Sequence, residues 1–172
     1  LGMSVFQSRT SLYRIILILL FILPISAEES SEMVGTEAPF ISLFKLTSNK
    51  YYRTKKLIGK KDIVISFFAT WCSPCLQEIP ELHKLAKEMK DIEFLLVNVN
   101  EKSDKVIKHV NSKGYTLPVI LDKYGVALKS FKAESLPLPL TVVIDKKGII
   151  TYYHSGYKPG DEKVLKKHLK TI

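Results

Sequence analysis

Ile63-Val64-Ile65-Ser66-Phe67-Phe68-Ala69-Thr70-Trp71-Cys72-Ser73-Pro74-Cys75-Leu76-Gln77-Glu78-Ile79-Pro80 is the stretch that decides the fold. Residues 63–69 form a nearly continuous apolar run rich in β-branched and aromatic side chains. That pattern predicts a strand buried on both faces. From about residue 74 the period changes. Cys75, Ile79, Leu82, Ala86 and Met89 recur at alternating spacings of four and three, one stripe of a helix running to about residue 90. The only two cysteines of the chain, Cys72 and Cys75, fall at the strand-to-helix junction.

Further out, residues 41–46 read as a strand and the basic segment 50–61 as an edge hairpin and loop. Strands are expected at 92–99 and 117–121. A helix is expected over 105–112, capped by Ser103-Asp104 with Val106, Ile107 and Val110 inward, and a short helix or turn over 124–131. Two strands, 140–144 and 149–153, flank the turn Asp145-Lys146-Lys147-Gly148. Asp161 opens a closing helix to Leu169, with Val164, Leu165, His168, Leu169 and Ile172 on one side. The alternation predicts an α/β/α sandwich around a mixed sheet, with an N-terminal β extension.

The N-terminus reads as a targeting segment. Arg9 and Arg14 precede nine uninterrupted apolar residues, 15–23, and Pro24-Ile25-Ser26-Ala27 ends in a small residue. The run is short of the roughly 20 residues that span a bilayer. Residues 1–27 are therefore expected to be a signal peptide or an N-terminal anchor, followed by a linker at 28–33 and one domain at 34–172. Loss of 1–27 lowers the formal charge from +9 to +7. The basic excess reads as a solvated surface, with an anionic membrane or acidic partner as the alternative. Export disfavours nucleic acid.

Three uses of the cysteine pair compete. A structural zinc site needs four ligands, and no second Cys pair accompanies the first. The histidines, His83, His109, His154 and His168, are scattered and read as surface or packing residues. A structural disulfide would close too short a loop to restrain the unfolded chain. A redox couple fits better. Cys72 falls where a helix start favours an anion, whereas Cys75 belongs to the buried stripe. Cys72 is then expected to face outward and attack, and Cys75 to resolve the mixed disulfide. Pro74 suits the first helical turn. Pro80 lies inside the helix and predicts a kink. Trp71 is read as a flat apolar wall beside the sulfurs.

Trp71-Cys72-Ser73-Pro74-Cys75 resembles the active site of the thioredoxin superfamily. Pro80 coincides with its helix-kinking proline, and Leu138-Pro139 with the segment holding its cis-proline. The Val34-Gly35…Ala38-Pro39-Phe40 segment and the placing of Glu78 and Pro80 resemble the exported TlpA/ResA-type thiol-disulfide oxidoreductases, over about residues 34–170. The resemblance implies a thioredoxin-like fold and an extracytoplasmic reductase of protein disulfides, with apocytochrome c among the clients. It further implies a membrane thiol-disulfide electron donor, and Trp71, Pro74, Leu138 and Pro139 at the client-binding surface. No cofactor is implied, and a monomer is expected. Thioredoxin itself carries a buried acid where this chain has Ser66, so Glu78 becomes the expected proton acceptor for Cys75, its pKa raised by burial. A disulfide oxidase or isomerase, a peroxiredoxin-like peroxidase and a non-enzymatic binding module are the alternatives. Ile65 and Ala69 occupy the places of the peroxidase motif and speak against the second of these.

Overall fold

The computed structural model describes residues 32–48 and 50–172. The expected targeting segment, 1–27, and most of the linker lie outside these residues. Met33, at the linker's end, is packed in the core.

Seven strands form one mixed sheet: β1 (Ser42–Lys45), β2 (Tyr51–Arg53), β3 (Ile63–Phe68), β4 (Glu93–Val99), β5 (Val119–Asp122), β6 (Leu140–Ile144) and β7 (Ile150–Ser155). Their spatial order is β2-β1-β5-β4-β3-β6-β7. The central strands β5, β4 and β3 are parallel, while β1 and β2 on one side and β6 and β7 on the other run antiparallel. The helices are α1 (Ser73–Glu88), α2 (Ser103–Lys113), α3 (Val126–Ser130) and α4 (Asp161–Leu169).

β3 is central because both its faces are apolar. Every residue from Ile63 to Phe68 is buried. Ile63, Ile65 and Phe67 pack on one face with Met33, Ile41, α3 and Phe131. Val64 and Phe68 pack on the other with α1, α2 and α4. Each fully buried large side chain contributes about 1.5–3 kcal/mol. Ser66 is the one polar member of the strand, and by alternation it faces the α1 side.

The expected elements are present with ends shifted by no more than two residues. Three details differ. The cap of α2 is Lys102, with no side-chain bond to the helix, so Ser103 and Asp104 are already helical. Ile107 is exposed, because only Val106 and Val110 of α2 reach the core. Val164 and Ile172 are exposed as well, since Leu165 and Leu169 alone seat α4. The expected basic hairpin pairs β1 with β2, and a 3₁₀ turn, Thr54–Lys56, follows it.

Candidate active site

Cys72 and Cys75 are joined in a disulfide. Cys72 is the N-cap of α1, and its sulfur accepts a hydrogen bond from the Cys75 amide at 3.2 Å. Pro74 sits in the first turn, where its missing N–H leaves no bond unmade. The helix continues through Pro80, which is exposed.

The outward placement of Cys72 needs correction. The residue is only 3% exposed and Cys75 is 0% exposed, whereas Trp71 stands 71% exposed. A difference between the two sulfurs remains. Cys72 lines a groove of about 380 Å³ with Trp71, Pro74, Leu136 and Leu138, and Cys75 does not. The Leu138–Pro139 peptide is cis, as the resemblance implies. Leu138 is half-buried between the two apolar layers. Pro139 is buried, and its carbonyl accepts from the Gly156 amide at 2.7 Å.

Glu78 lies on the inner face of α1, one turn beyond Cys75, and is 4% exposed. Its two carboxylate oxygens accept from the hydroxyls of Ser66 at 2.7 Å and Thr141 at 2.5 Å. Burial raises its pKa above the ordinary carboxylate range. The hydroxyls of Thr141 and Ser66, and then His154, oppose that rise without cancelling it. Ser66 thus keeps a place at the acid site. It reaches from the strand to hold the acid supplied by the helix.

A second carboxylate escaped the sequence reading. Glu101, just beyond β4, accepts from the Thr70 amide at 2.7 Å, the Thr70 hydroxyl at 2.6 Å and the Asn98 side-chain amide at 2.8 Å. Lys105 reaches it at 2.7 Å. Burial alone would raise its pKa, but the bonds from Lys105, Thr70 and Asn98 outweigh that and pull it down to about 2. It pins the residue that precedes Trp71-Cys72. The available signal was a run of polar residues, Asn98, Asn100 and Glu101, at the end of a buried strand. Of the histidines, His83 binds the Ile79 carbonyl and the Thr116 amide, and His168 meets Thr151. Among the described residues no cluster of three or more His, Cys, Asp or Glu is placed to hold a metal ion.

A reversible cysteine couple at a helix start, beside a groove and above a buried acid, defines a thiol-disulfide redox protein on a thioredoxin-type scaffold. The redoxin family matches residues 33–169. The chain is 35% identical over 136 residues to thioredoxin-like protein YneN of Bacillus subtilis, covering 76% of each chain. It is 31% identical over 147 residues to thiol-disulfide oxidoreductase ResA of Geobacillus kaustophilus, covering 84% of this chain and 81% of that one. Among solved structures, a thioredoxin-family thiol:disulfide interchange protein from Chlorobium tepidum superposes with a TM-score of 0.68 at 25% identity, over 80% of this chain and 95% of that one. A secreted Mycobacterium tuberculosis disulfide oxidoreductase shares the fold, with a TM-score of 0.66 at 17% identity over 77% and 96% of the two chains. The chain belongs to the redoxin family, and within the thioredoxin superfamily it is a thiol-disulfide oxidoreductase of the TlpA/ResA type.

Proposed function

We propose that this oxidoreductase is an exported reductase of protein disulfides, acting as a monomer outside the cytoplasmic membrane. Residues 1–27 serve as its signal or anchor, and a membrane thiol-disulfide protein returns its electrons. The observation that carries the reading is the unequal placing of the two sulfurs, one at the helix cap in the groove and one sealed behind it.

In the reduced form the helix start favours the Cys72 thiolate. That thiolate attacks one sulfur of the client disulfide. A Cys72–client bond forms and the client's other sulfur leaves as a thiolate. Cys75 gives its proton to Glu78 and attacks Cys72. The Cys72–Cys75 bond forms, and the second client sulfur leaves. The two client thiolates take protons from solvent, so the client gains two electrons and two protons, while the enzyme gives up two electrons, the Cys72 proton on ionisation and the Cys75 proton to Glu78. Trp71, Pro74, Leu138 and Pro139 seat the client chain. The family resemblance names apocytochrome c, before haem attachment, as a client class.

Two measurements test this. Cys75→Ser should accumulate mixed disulfides on Cys72 with exported proteins, and the Cys72→Ser, Cys75→Ser protein should accumulate none. The couple, equilibrated with glutathione, should be more reducing than about −180 mV, the value typical of isomerases. A more oxidising couple would overturn the reductase direction.

A further inference from the structure

Glu78 is sealed from the groove side, yet an acid that takes a proton on every turnover must also release it. The sheet provides a way out. Ser66 on β3 lies directly opposite Thr141 on β6. Thr141 in turn lies directly opposite His154 on β7. Opposed residues on one face of antiparallel strands hold their Cβ atoms about 4.5–5.5 Å apart. Three polar side chains therefore form one row, running from under Glu78 to the edge strand. Over the row sits a cavity lined by Glu78, Thr141, Tyr152, His154, Tyr157 and Asp161. Its volume of about 10 Å³ lies at the lower limit for one water. His154 Nε2 meets Asp161 Oδ2 at 3.2 Å, and the His154 side chain is 40% exposed, so the far end of the row opens to solvent.

We propose that Glu78 exchanges its proton with solvent through His154, across this cavity, on the side of α1 away from the client groove. The inference rests on the reading of Glu78 as the proton acceptor of Cys75. The proton accepted from the Cys75 thiol passes from the Glu78 carboxylic acid to the His154 imidazole and then to bulk water. Glu78 is left as a carboxylate for the next turnover, and no electron moves in this step.

The groups facing Glu78 fit the assignment. Its own helix presents Cys75 and, one turn on, Glu81. β3 and β6 present only the hydroxyls of Ser66 and Thr141. β7 presents Tyr152 and His154, the loop after it Tyr157, and α4 presents Asp161 and Glu162. Burial, with Asp161 and Glu78 nearby, pushes the Tyr152 phenol up to about 12. Burial and the bond to Glu162 push the Tyr157 phenol up as well. Both phenols stay protonated. Of the residues lining the cavity, His154 alone can carry a positive charge. That charge favours the Glu78 carboxylate, so acceptance and release are linked in one pair.

The test follows the resolving step, attack of Cys75 on a mixed disulfide preformed at Cys72, against pH in weakly buffered solution. His154→Ala should move the acidic limb of the profile upward by about one unit, a rate loss of about tenfold on that limb. Added imidazole should restore the rate. His154→Gln should show the same loss. In a Glu78→Gln background His154→Ala should cost nothing more, because both act through one carboxylate. If Glu78→Gln slows resolution while both His154 variants keep the wild-type profile, the His154 route is overturned and Glu78 stands. Additive losses in the double variant also overturn the route. If Glu78→Gln itself resolves like wild type, the Glu78 reading falls first.

Discussion

The buried carboxylates Glu78 and Glu101 have pKa shifts of opposite sign. Burial wins at Glu78 and raises its pKa, so its contribution to stability is complete at low pH and is lost as pH rises through its folded value. Above the ordinary carboxylate range, burial of this acid therefore costs stability. Glu78→Gln should therefore be at least as stable as wild type in urea at pH 7, with the gap closing towards pH 4, while resolution slows. A clear loss of stability at pH 7 would contradict this. At Glu101 hydrogen bonds win, and the pKa falls from 4.5 to about 2. Its stabilisation, at most about 3 kcal/mol and reduced by solvent around the exposed Lys105, is present above pH 4.5 and lost as pH falls towards 2. Glu101→Gln should cost about that much at pH 7 and little at pH 2, measured by chemical unfolding. Glu78 was legible because the TlpA/ResA resemblance implies a glutamate there and the helical stripe puts it one turn past Cys75. Glu101 was not, because Thr70 is brought to it by the pairing of β3 with β4, across 31 residues of chain.

At the scale of elements, helices and strands with a strong period were readable. β6 and α4 match residue for residue, α1 differs by one residue at its start and two at its end, and β4 differs by one residue at its start alone. The misplaced side chains Ile107 and Val164 lie at the margins of apolar stripes, where a turn of a few tens of degrees decides exposure, and Ile172 lies beyond the end of α4. The short helix α3 shows how an element shapes the groove. Gly125 caps it with φ of 66°, and a Cβ there would meet the Asn100 side-chain oxygen at 2.9 Å. Asn100 and Leu128 both line the groove. Gly125→Ala should cost about 1–2 kcal/mol for the left-handed backbone. It should also displace Asn100, raising KM for a disulfide client more than it lowers kcat.

For the whole molecule, composition and alternation sufficed for a mixed α/β sandwich. Strand order was not readable, because pairing β5 with β4 and β3 with β6 depends on contacts far apart in the chain. The same long-range register assembles the row of Ser66, Thr141 and His154, so the sequence reading saw His154 only as a scattered surface or packing residue. The inequality of the two sulfurs was anticipated, but the low exposure of Cys72 was not. Burial of a cap residue depends on the groove wall that Leu136 and Leu138 bring from beyond β5.

Trp71 has a further use. It is the only tryptophan in the chain and stands largely in solvent, one residue from the disulfide. A disulfide quenches the light emitted by an adjacent indole, and a dithiol quenches it less. Intrinsic fluorescence of the unlabelled protein should rise on reduction and fall on oxidation, with no response to reductant in the Cys72→Ser, Cys75→Ser protein. The molecule then carries its own optical gauge, by which its electron exchange with clients and donors can be followed in real time.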